Sequence, residues 1–103
     1  MKTFSELFRR YRLKVEFEKL TDLADAFAQK GYAYEASIFS HWQKGKRIPN
    51  KRIILLTLIA LFLERGAIRL LSEANEFLES AGHGYLTERE QSALFKKESI
   101  NLQ

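Results

Sequence analysis

Phe4, Leu7, Phe8 and Tyr11 fall at the i, i+3, i+4, i+7 spacing that lines up apolar side chains on one face of an α-helix, with Arg9, Arg10 and Arg12 off that stripe. This pattern predicts a first helix from Thr3 to Lys14. Val15 to Lys19 is too short and mixed to assign, with Phe17 expected to fold back on the core. Thr21 reads as an N-cap with Asp22 and Asp25 in the first turn, where carboxylates suit the positive end of the helix dipole. Leu23, Ala24, Phe27 and Ala28 then form the buried face of a second helix that stops near Gly31.

Glu35 to Lys44 is a third helical unit whose wheel separates two faces. Ile38, Phe39 and Trp42 cluster on one side with Gln43 at the edge; Ser37, Ser40, His41 and Lys44 lie opposite, flanked by Ala36. Gly45 ends this helix, and Pro49, which lacks an N–H, prevents a helix from running through Lys46 to Ile48. Asn50 is the expected cap of a fourth helix. Its Ile53, Ile54, Leu55, Leu58, Ile59, Leu61 and Phe62 leave little polar surface, as befits the central helix of a domain.

After Gly66, a fifth helix carries Ile68, Leu71, Ala74, Phe77, Leu78 and Ala81 on one stripe, with Glu73, Glu76 and Glu79 off it, and ends at Gly82 and Gly84. Thr87-Glu88-Arg89-Glu90 is a capping box that starts a short sixth helix bearing Leu94 and Phe95. No strand pattern, repeat or low-complexity stretch interrupts the series. The expectation is an all-α fold of five helices and a short sixth: a core over residues 1–66, a helical extension over 67–95 packed on the same domain, and a tail over 96–103.

Composition narrows the picture. A chain of 103 residues is one domain and buries about two thirds of its unfolded surface. It has no cysteine, so disulfides and thiolate metal sites are excluded, which fits a reducing cytoplasm. Arg9, Arg10 and Arg12 interrupt any signal-peptide core, and the apolar run from Ile53 to Leu63 is far shorter than the ~20 residues of a membrane helix. A cytoplasmic location without membrane contact is expected. The net charge of +4 is concentrated in the N-terminal half. Between His41 and Arg52 every charged residue is basic: Lys44, Lys46, Arg47, Lys51 and Arg52. A localised basic patch is the electrostatic footprint of a polyanion partner.

Catalytic chemistry needs a constellation that this sequence does not assemble. His41 sits on a polar helical face, His83 in a Gly-His-Gly turn, and there is no phosphate loop, nucleophile elbow or His-Glu-x-x-His. Glu73, Glu76 and Glu79 lack a matching row and read as a solvated face. We expect no enzyme activity, metal or cofactor. A binding constellation is present instead: helix 2, a glycine-containing turn and helix 3 make a helix-turn-helix, a unit whose second helix enters the DNA major groove. Such a helix must be apolar behind and short or polar in front. Ser37, Ser40, His41 and Lys44 meet that condition, while Lys46, Arg47, Asn50, Lys51 and Arg52 flank the next helix N-terminus, where phosphates bind.

Three stretches carry a resemblance: Phe4-Ser5-Glu6-Leu7-Phe8-Arg9-Arg10-Tyr11-Arg12, Leu20-Thr21-Asp22-Leu23-Ala24-Asp25-Ala26-Phe27, and Ser37-Ile38-Phe39-Ser40-His41-Trp42-Gln43-Lys44-Gly45-Lys46-Arg47-Ile48-Pro49. Together they resemble the phage-repressor-type (Cro/C1, or Xre) helix-turn-helix family over residues 4–63. The resemblance implies a repressor-like fold and a bacterial-type transcriptional regulator that binds double-stranded DNA. Glu35, Ala36, Ser37, Ser40, His41 and Lys44 would face bases; Lys46, Arg47, Asn50, Lys51 and Arg52 would face phosphates, with Arg9, Arg10 and Arg12 as further phosphate candidates. Helices 5 and 6 would form a homodimer surface or join a missing C-terminal effector domain.

Three features depart from the family pattern. Residues 28–35 form a longer connection than usual, which lengthens helix 2 or tilts helix 3. Gln43 replaces the glutamate after the tryptophan, so its link to a helix 1 arginine becomes a hydrogen bond to a neutral amide. Glu35 stands where a polar base reader is usual, as a cap or an acceptor from a cytosine amine. The alternative reading is a helical protein-interaction module, an adaptor or the N-terminal domain of a larger regulator, without DNA binding of its own.

Overall fold

The computed structural model describes residues 2–17 and 19–95, and among these the chain forms six helices and no strand: α1 (Phe4–Lys14), α2 (Leu20–Gln29), α3 (Ala36–Gln43), α4 (Arg52–Glu64), α5 (Leu71–Ser80) and α6 (Glu88–Leu94). The tail assigned to 96–103 lies outside the described residues. None of the described helices is long and apolar enough to cross a membrane.

Helix starts follow local chemistry, with three corrections to the sequence reading. Thr3 and Thr87 each form a reciprocal capping box with the glutamate three residues on. The cap of α2, however, is Lys19 and not Thr21, because the Asp22 carboxylate reaches back to the Lys19 N–H at 3.4 Å and leaves Thr21 exposed inside the first turn. The cap of α4 is Lys51 and not Asn50: Pro49 is buried, the chain stays extended past it, and the first carbonyl to accept from the helix is that of Lys51. Ile68 is buried but precedes α5, which begins only at Leu71, where Glu73 accepts from the N–H groups of Arg69 and Leu70 at 2.9 and 3.0 Å.

Helix ends share one device. After each of α1 to α5 the chain makes a Schellman turn; at α2, Gly31 N–H donates to the Ala28 carbonyl and Tyr32 N–H to the Phe27 carbonyl, both at 3.0 Å. Glycine occupies the left-handed position in four of these turns, but α1 places Glu16 there at φ 62°. The following residue accounts for it: Phe17 N–H donates to the Arg12 carbonyl, and the Phe17 ring is buried, as the sequence suggested. Burying a phenylalanine is worth about 2 kcal/mol, more than the ~1 kcal/mol that a left-handed non-glycine residue costs.

α1 is the hub, packing against both α3 and α5. On one side Phe4 and Tyr11 meet Phe77 of α5 and Phe62 of α4, with ring centroids 5.1 to 6.0 Å apart. On the other, Phe8 meets the Trp42 edge at 5.8 Å, Trp42 meets Phe39 at 5.1 Å, and Phe39 meets Phe27 of α2 at 5.1 Å. Since Phe4 and Phe8 stack on each other, a continuous line of rings joins α5 to α2 through α1. The radius of gyration, 13.2 Å, is that of a close-packed domain.

Candidate functional site

The long connection between α2 and α3 is held by its tyrosines. α2 stops at Gln29, so the connection does not lengthen it; instead Tyr32 and Tyr34 lay their rings on Phe27, at 6.3 and 5.6 Å. Tyr34 also lies 6.1 Å from Phe39 and 6.0 Å from Trp42. It thereby covers the part of the α3 core face that the sequence reading gave to Ile38. Phe39 and Trp42 are buried as expected, but Ile38 is 37% exposed. This corrects the placement of Ile38 on the buried face of α3, where Tyr34 instead packs on Phe39 and Trp42.

The outward face of α3 holds the predicted residues together. Ser37 and Lys44 are exposed, Ser40, His41 and Ala36 half-buried, and Glu35 is the exposed N-cap, with no hydrogen bond from its side chain to the helix. At the other end Gly45, at φ 75°, lets the chain turn against Ser5 of α1, whose Oγ lies 3.6 Å from where a Cβ would stand. The turn then exposes Lys46, Arg47, Asn50 and Lys51. No carboxylate among the described residues forms an ion pair with Lys46, Arg47 or Lys51. Lys51 has no side-chain acceptor to offer, so its side chain does not cap the first N–H groups of α4.

Arg52 is placed differently from its neighbours. Its Nε and Nη2 donate to the two Glu90 carboxylate oxygens, each at 2.8 Å, and Nη1 and Nη2 donate to the carbonyls of Gly84 and Tyr85 at 3.1 and 3.0 Å. This guanidinium fastens α6 and the α5–α6 turn to the start of α4. The Arg52 hydrogen bonds, followed by the Thr87 N–H, hold the Glu90 carboxyl down at about 2. Arg12 also departs from expectation. It is 6% exposed, not on the solvated face with Arg9 and Arg10, and its Nε donates to Gln43 Oε1 at 2.9 Å. Burial, then the neighbouring Arg9 charge, lowers its affinity for the proton. The expected link between Gln43 and a helix 1 arginine is therefore made, and it ties α3 to α1.

Two residues that the sequence did not place at this surface belong to it, Ile38 having been assigned to the core face. Ile38 and Ile48, the latter 48% exposed, line one concavity of about 420 Å³ with Tyr34, Trp42, Arg47 and Lys51. Ile48 sits in the basic turn, and its place beside charged residues was the only signal available. A second, more apolar concavity of about 350 Å³ lies between α4 and α6, lined by Ile53, Leu56, Ala60 and Leu94 among others. In comparisons with models of protein families, with characterised proteins and with solved structures, nothing matches this chain.

Proposed function

We propose that this protein binds double-stranded DNA sequence-specifically and acts as a bacterial-type, repressor-like transcriptional regulator in the cytoplasm. α3 is the reading helix, with Ser37, Ser40, His41 and Lys44 toward base edges and Glu35 and Ala36 beside them. The observation that carries this reading is the junction of α3 and α4, where Lys46, Arg47 and Lys51 stand exposed, without carboxylate partners among the described residues, next to an α4 N-terminus that its N-cap side chain does not cap. Open N–H groups beside lysine and arginine are an anion site, and phosphates satisfy it. Asn50 belongs to the same set. Arg52 does not, since four of its five N–H donors are taken by Glu90 and two carbonyls. Specific sites of this kind are read by two modules, and α5 with α6 is our candidate for the dimer surface or for the junction with a C-terminal effector domain.

The test is fluorescence anisotropy with duplex DNA over a salt series. Binding should be tight at low salt and fall as salt rises. Lys51→Ala should weaken every duplex alike and flatten the salt slope by about one, whereas Ser40→Ala should act only at particular bases. Absence of duplex binding at low salt overturns the proposal. A second reading, a protein-interaction module, draws on the apolar concavity between α4 and α6, and is the one that result would favour.

A further inference from the structure

We infer that the concavity between α3 and the start of α4 receives the 5-methyl group of a thymine, so that Ile38 and Ile48 determine part of the sequence preference; the inference rests on the DNA-binding reading above. The concavity combines two properties. Among the described residues Arg47 and Lys51 line it and no acid does, and this charge suits a polyanion. Yet among the side chains standing open to solvent in it, beside Arg47, Asn50 and Lys51, two are aliphatic: Ile38 on α3 and Ile48 in the turn. Exposed isoleucines are not needed to fill the core there, because Tyr34 already covers Phe39 and Trp42.

The aromatic rings lining the concavity are engaged with one another. Trp42 is 4% exposed and packs on Tyr34, Phe39 and Phe8, so its indole face is not offered for a base to stack on. What remains is an aliphatic contact beside phosphate-binding cations. Among the base edges displayed in the DNA major groove, only thymine presents a methyl group. The cations and the α4 N-terminus would hold the backbone while Ile38 and Ile48 exclude water from that methyl.

The experiment starts from duplexes selected by the protein out of a random pool and replaces each thymine in turn by deoxyuridine, which removes the methyl and nothing else. At one or more positions the replacement should weaken binding by the full-length protein about fourfold, the effect of one methyl group returned to water. Ile38→Ala or Ile48→Ala should bind the thymine and deoxyuridine duplexes equally at that position. Alanine is a good helix former and Ile38 is partly exposed, so retained far-UV circular dichroism identifies a folded variant. If the protein binds duplexes but tolerates deoxyuridine everywhere, or if both variants keep the full methyl dependence at every thymine, the inference fails while the DNA-binding reading stands. If no duplex is bound at low salt, both fall.

Discussion

Lys51 and Arg52 are adjacent in sequence, equal in charge and sit at the start of the same helix, yet they serve different regions. Lys51 is exposed on the α3–α4 junction, where the basic side chains have no carboxylate partner among the described residues. Arg52 points to the α5–α6 turn and gives four of its five N–H donors to two carboxylate oxygens and two carbonyls. The first region keeps its charge available; the second consumes it internally. A run of basic residues is thus not one feature, and only the tertiary partner tells a cation left available from a structural fastener.

Four measurements bear on that contrast. The largest effect should come from Trp42→Ala, which opens the ring line shared by both regions and should destabilise the fold by about 3–5 kcal/mol in urea unfolding. Next is Arg52→Ala, which strands the partly buried Glu90 carboxylate and should cost about 2 kcal/mol, hydrogen bonds to charged groups being the stronger kind. Lys51→Ala should leave stability within about 0.5 kcal/mol. Similar losses from the two substitutions would erase the distinction between the regions.

The pH dependence sharpens it. Glu90 is held near 2 against an ordinary 4.5, so its contribution is complete above 4.5 and is lost as pH falls toward 2. Urea unfolding should show stability declining over that window, and Glu90→Gln should flatten the decline. Glu73 leaves a residual slope of the same sign: burial pushes its pKa up, but the Arg69 and Leu70 N–H groups more than offset this and leave it lowered. Apart from that contrast, Glu16→Gly relieves a left-handed non-glycine residue and should raise stability by up to about 1 kcal/mol, read as a higher urea midpoint.

The helical pattern was legible in the sequence because amphipathic spacing and capping boxes are local. Phe4, Leu7, Phe8 and Tyr11, the Phe39–Trp42 pair and the Thr87–Glu90 box all reside where their spacing put them. The misplacements have physical reasons. Asp22 drew the α2 cap back to Lys19, the buried Pro49 delayed α4, and Tyr34 took the space assigned to Ile38. The Arg52–Glu90 contact spans 38 residues, and no periodicity encodes which cation a distant carboxylate selects. Among the candidate site residues, the exposed turn followed from charge alone, whereas the isoleucines beside it required knowing what already covered the core.

The single tryptophan has a practical consequence. Trp42 is almost wholly enclosed by Phe8, Tyr34 and Phe39, and it also borders the concavity shared with Ile38, Ile48, Arg47 and Lys51. Its indole emission is consequently an intrinsic optical probe with no competing tryptophan signal. Loss of the ring cluster on unfolding should shift that emission to the red, while occupation of the neighbouring concavity should change its intensity without the shift, so one unlabelled fluorophore separates melting from binding.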